Sequence, residues 1–90
     1  MTMQFVTEYI EKKVNENKEF IRYTFYELRV KNNLSEEEVE DFLDVNKDYF
    51  ENKGYKVYFT GDSYEFKGQI KQVEQNELMI AIKNGEINGK

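Results

Sequence analysis

Cysteine, histidine, proline and tryptophan are all missing from these 90 residues. Without Cys there is no disulfide and no thiolate for a metal, which fits a reducing compartment and makes the cytoplasm the expected location. Without His the commonest general acid–base group is gone, and without Cys one of the usual activated nucleophiles is gone with it. Asp, Glu, Lys and Tyr remain, and no recognisable motif pairs them. The expectation is therefore not an enzyme: no catalytic residue, no cofactor and no metal ligand is assigned. Long apolar runs are lacking too. Nothing approaches the roughly 18 residues that a membrane span needs, and the opening stretch MTMQFVTEYIEKK does not read as a signal peptide, so no membrane partner is expected.

Two further scarcities concern coding. Arg occurs 2 times against 11 Lys, and Ala once against 9 Asn. Lys and Asn have A-rich codons, whereas Ala, Pro and most Arg codons are GC-rich. An AT-rich bacterial genome, or a phage or mobile element within one, is the expected source. The 14 aromatics, 7 Phe and 7 Tyr, must supply much of the core of so small a chain.

What the sequence has in excess is negative charge, and it is concentrated. Residues 1–34 carry a net +1, residues 54–90 a net of 0, and residues 35–53 a net −6, which together give the chain's −5. That acidic segment lies in LSEEEVEDFLDVNKDYFENKG, residues 34–54, and the local code predicts a helix over about 36–53. Ser35 and Glu38 form the S-x-x-E capping box, Leu34 and Val39 can close as a hydrophobic staple, and Gly54 suits the C′ position. Glu36, Glu37 and Glu38 place negative charge at the positive end of the macrodipole. At about 100° per residue, Val39, Phe42, Leu43 and Phe50 share one side, with Tyr49 at its edge. Glu37, Asp41, Asp44, Asp48 and Glu51 share the opposite side. Like charges stack at i, i+4 in Glu37/Asp41 and Asp44/Asp48, which costs a few tenths of a kcal/mol per pair. A solvated outer face is the plain reading of such a helix. A partner-binding stripe is the sharper one. Asp44 to Asp48 also begins like an EF-hand calcium loop, but Tyr49 stands where Gly is needed and Tyr55 where Glu is needed.

The rest of the chain reads in order. Met3, Val6, Ile10 and Val14 keep helical spacing over residues 3–16, with Phe5 and Tyr9 on a flank and Thr2 as cap. Residues 20–30, FIRYTFYELRV, have strand composition, with a bulge near Phe25 to reconcile two alternating halves. A single long helix through residue 28 competes with that strand, but Asn15 and Asn17 are poor in a helix interior. Residues 55–60 alternate as a half-buried strand. Residues 63–75 read either as a strand bent at a Gly68 bulge or as a loop. Residues 77–83 are a strand, and 84–90 a frayed tail.

This order, α-β-α-β-(β)-β, predicts an α+β fold in one domain over residues 1–83. The architecture expected is a two-layer α/β sandwich with a small mixed sheet and both helices on one face. The strands flanking the acidic helix should run parallel, and the last two strands antiparallel. An open sheet face bearing Tyr58 and Met79, with Tyr26 and Tyr64 near it, is a candidate contact for a second copy or a partner. Stacked bases would need a basic rim that the chain lacks, and the acidic balance disfavours direct nucleic-acid binding. The function expected is a small acidic binding protein, monomer or homodimer, that engages a basic protein surface through Glu37, Asp41, Asp44, Asp48 and Glu51. Mimicry of DNA phosphates is one form of it. The alternative is self-association through the Tyr58/Met79 face.

Overall fold

The computed structural model describes residues 1–83, so the tail expected at 84–90 lies outside the described residues. Helix α1 runs Met3–Glu16 and helix α2 Glu36–Asn52. Strands β1 (Phe20–Thr24), β2 (Tyr55–Phe59) and β5 (Glu77–Lys83) form one sheet in the order β1-β5-β2, while β3 (Ser63–Phe66) and β4 (Gln69–Gln72) form a separate two-stranded hairpin. The fold is α+β, as the sequence predicts.

The caps of both helices are the ones the sequence signals. The Thr2 hydroxyl accepts the Phe5 N–H at 3.1 Å. Ser35 and Glu38 close the full capping box, with 3.1 Å from the Glu38 N–H to Ser35 Oγ and 3.0 Å from the Ser35 N–H to Glu38 Oε1. Gly54 follows α2 with φ +89°, a left-handed conformation that side chains other than glycine resist.

Both helices pack on one face of the sheet. Val6 and Ile10 of α1 and Val39, Phe42 and Phe50 of α2 meet Ile21, Tyr23, Tyr55, Met79 and Ala81 of the sheet in one buried cluster. Phe42 is its centre: its ring lies 5.1 Å from that of Tyr23 and 5.6 Å from that of Tyr9, both edge to face, a preferred aromatic geometry. Met3, expected on the buried stripe of α1, is exposed, and Phe5 and Tyr9 from the flank pack against the core instead.

Strands β1 and β2 both pair antiparallel with β5, so they run in the same direction as each other, as the crossover through α2 requires. They do not touch as neighbours. The later strand β5 inserts between them, and every ladder in the sheet is antiparallel.

Two stretches differ from expectation. The strand expected over 20–30 stops at Thr24, where the register with β5 shifts, and the chain then winds into a π-helix over Tyr26–Lys31. Alternation could not reveal this, because a π-turn places Leu28 in the core while leaving Phe25, Tyr26 and Val30 exposed. The ambiguous 63–75 stretch is the β3–β4 hairpin. Gly68 is not a bulge; Lys67 and Gly68 form its two-residue turn, with φ +53° and +81°. Two positive φ values mark a type I′ turn, which fits the twist of paired strands, and Lys-Gly is a weaker signal for it than Asn-Gly or Asp-Gly.

The hairpin lies over the sheet face opposite the helices. Tyr64 of β3 and Val73 bury against Ile80, with Phe20, Tyr58, Phe66 and Ile82 around them. The Phe20 and Phe66 rings are 4.9 Å apart, and those of Tyr58 and Tyr64 5.7 Å.

Candidate functional site

The stripe on α2 is where helical periodicity puts it. Glu37, Asp41, Asp44, Asp48 and Glu51 are all exposed, opposite the buried Val39, Phe42, Asn46 and Phe50. From the first to the last the rise is about 21 Å at about 1.5 Å per residue. Glu51 is held by Lys47 across one helical turn, Nζ to Oε1 3.2 Å. Glu37, Asp41, Asp44 and Asp48 make no ion pair among the described residues. Glu38, just off the stripe, is committed to the cap. Its carboxylate is pushed below the usual range, first by the Ser35 N–H and then by the N-terminal ammonium 3.2 Å away. Among the described residues no three acidic, His or Cys side chains converge on a point that could hold a metal ion. Helix geometry explains this, because the stripe spaces its carboxylates along a line.

The second predicted contact is corrected by the fold. Tyr58 and Met79 do not share a face. Met79 is paired with Phe59 and Tyr23, points to the helix side and is fully buried. Tyr58 points to the other side, paired with Ile80 and half-buried against Tyr64. The face expected to be open is closed by the hairpin, whose turn went unread in the sequence. Tyr26, associated with that face in the sequence, sits on the π-helix instead.

One cluster has no counterpart in the sequence reading. Glu27, on the π-helix, reaches back to α1. It accepts the Tyr9 hydroxyl and an ion pair from Lys13, Nζ to Oε2 2.8 Å. Asn32 closes the ring, its Nδ2 donating to Tyr9 Oη at 3.1 Å and to the Glu27 carbonyl at 2.8 Å. Lys13 also donates to the Arg22 carbonyl at 3.0 Å, tying α1 to β1. Burial, together with the Glu27 carboxylate, pushes the Tyr9 phenol well above its ordinary value, so it remains a hydrogen-bond donor. Lys13 and Glu27 are each about four-fifths buried, side-chain exposure 19% and 18%, which is why satisfying both matters. The one hint in the sequence was an acidic residue inside an aromatic, strand-like run.

Comparison of the chain with protein-family models, with curated proteins and with solved structures gives no match. Among the described residues no helix is long and apolar enough to cross a membrane.

Proposed function

We propose that this protein is a non-enzymatic binding protein that engages a basic protein surface through the outer face of α2. The observation that carries the reading is the set of four exposed carboxylates, Glu37, Asp41, Asp44 and Asp48, with no intrachain ion pair among the described residues. The mutual repulsion of such a row falls if a basic surface docks on it, so binding relieves a cost already present in the free protein. Summed charge of one sign also accelerates encounter with a basic partner. The spacing is about one charge per 5 Å, against about 3.4 Å along one DNA strand, so a partner that normally grips phosphates is one member of the class rather than the whole of it.

The test is a paired pull-down. Wild type and the Asp41→Asn/Asp44→Asn/Asp48→Asn variant serve as baits in lysate of the native host over a salt series. Basic proteins held by the wild type at low salt should be lost from the variant. The variant should also melt slightly higher than wild type at low salt, because about 10 Å of Debye screening at 0.1 M relieves the repulsion only in part. Equal capture by both baits at every salt concentration would leave α2 as a solvated face.

A further inference from the structure

The cleft beside the π-helix carries an inference independent of the acidic stripe. β1 ends in an irregular register at Tyr23/Thr24, and the chain turns at once into the π-helix Tyr26–Lys31. Six residues of π-helix are unusual, since the form is rare, occurs mostly as single turns and recurs at functional sites. Here it forms one wall of a cleft of about 530 Å³ whose other walls are α1 and β1. Small-molecule sites occupy about 300–1,000 Å³.

The lining divides into a locked floor and a free rim. In the floor, Tyr9, Lys13, Glu27 and Asn32 satisfy one another, and the Glu27 charge is compensated by Lys13 and by the Tyr9 proton. The rim groups are less committed. Lys12 and Lys31 have no carboxylate partner among the described residues. Arg22 meets the cleft through its carbonyl, which Lys13 occupies; its guanidinium bonds Glu77 at 3.2 Å on the hairpin side of the sheet. Glu16 is the single rim carboxylate set against the two lysines. On a chain whose net charge is −5, this inverts the local sign, and a cleft focuses the field of its rim. Tyr26, 62% exposed, and the Thr24 hydroxyl complete the mouth.

We propose that this cleft binds a small phosphate monoester bearing a planar ring, a mononucleotide by chemical class. Lys12 and Lys31 flank the phosphate, and Tyr26 stacks on the ring. Phosphate suits the cations because its several oxygens accept from both ammonium groups together. The ring contact accounts for an aromatic side chain left in water at the mouth, since nucleobases stack on such faces whatever their identity. Concavity favours a small molecule over a macromolecular surface. The locked floor gives the ligand a preformed wall.

Titration of the isotopically labelled protein with adenosine monophosphate, ribose phosphate and adenosine, followed by amide NMR, separates the contributions. Adenosine monophosphate should shift Lys12, Thr24, Tyr26 and Lys31 saturably, tighter than either fragment. The Lys12→Gln/Lys31→Gln variant changes only exposed side chains and should weaken it by about tenfold or more, a loss of about 1.4 kcal/mol. Tyr26→Ala should weaken adenosine monophosphate severalfold and leave ribose phosphate unchanged. The proposal is overturned if the wild type shows no saturation with a dissociation constant below about 1 mM. It is equally overturned if ribose phosphate binds as tightly as the nucleotide, or if the shifts map away from the cleft.

Discussion

Helix α2 and the π-helix stand four residues apart and reach their shapes by opposite routes. Every feature of α2 is local: a Ser–Glu capping box, a staple of Leu34 and Val39, an apolar stripe at helical spacing and a glycine beyond its end. The π-helix has one local bond at its start, the Thr24 hydroxyl accepting the Glu27 N–H at 3.2 Å, and no capping box. Its wide turns, marked by the Asn32 N–H reaching the Glu27 carbonyl five residues back at 3.1 Å, are fixed from outside. Leu28 is drawn into the core, Glu27 is held by Tyr9 and Lys13, and the Phe25 N–H bonds the Asn76 carbonyl at 2.9 Å. Segments governed by local rules can be read from sequence. Segments governed by distant contacts cannot, and here the second kind builds the cleft.

That contrast can be broken from either side. The largest effect should come from Phe42→Ala, which removes the ring around which Phe5, Tyr9 and Tyr23 are arranged. Its expected cost is about 3–5 kcal/mol in denaturant unfolding, and a variant that unfolds like the wild type would mean another residue centres the core. Next is Glu27→Ala, expected to cost about 1–3 kcal/mol because Tyr9 and Lys13 lose their shared acceptor. Its amide shifts should change along Tyr26–Lys31 and stay fixed along α2. Spread of the change into α2 would show that the two segments are one cooperative unit.

The smallest of the three is Ser35→Ala, at about 1 kcal/mol, as capping residues usually contribute. It comes with a pH signature. The folded Glu38 pKa lies below the ordinary carboxylate value of 4.5, so between the two the unfolded chain binds more protons and stability rises with pH. The contribution is complete above that ordinary value and fades as pH falls through the folded one. Glu38→Gln should flatten this acid limb in a series of melts by lowering the neutral melting temperature while leaving the acid end, where Glu38 is already protonated, little changed. An unchanged acid limb would assign the pH dependence to other carboxylates.

Both helices were legible in the sequence, as were the strands at 20–24, 55–59 and 77–83 and the five exposed carboxylates of α2, because each rests on periodicity or on a cap. The hairpin is half legible: a strand bent at Gly68 is one of the two readings of 63–75, but Lys67 in a left-handed conformation is not something a lysine announces. Missing that turn left one sheet face apparently bare, and Met79 was set beside Tyr58 on it because β5, buried on both faces, has no polar side to mark which of its residues meet the helices. The Tyr9–Glu27–Lys13–Asn32 ring was not legible, since its members lie up to 23 residues apart and meet only after a π-turn.

The position of β5 has a consequence for how the molecule comes into being. It is the middle strand of the sheet and the last of the five to be synthesised. While a growing chain still lacks Glu77–Lys83, β1 and β2 have no strand to pair with, and Met79, Ile80 and Ala81 are missing from the core. A ribosome-bound chain stalled before residue 77 would hold two amphipathic helices, a hairpin and two orphan strands with open edges, the kind of edge that invites pairing with other chains. Both ladders of the sheet need β5. Seven residues near the end of the described chain therefore carry both ladders of the sheet, and a chain without them keeps two strand edges open.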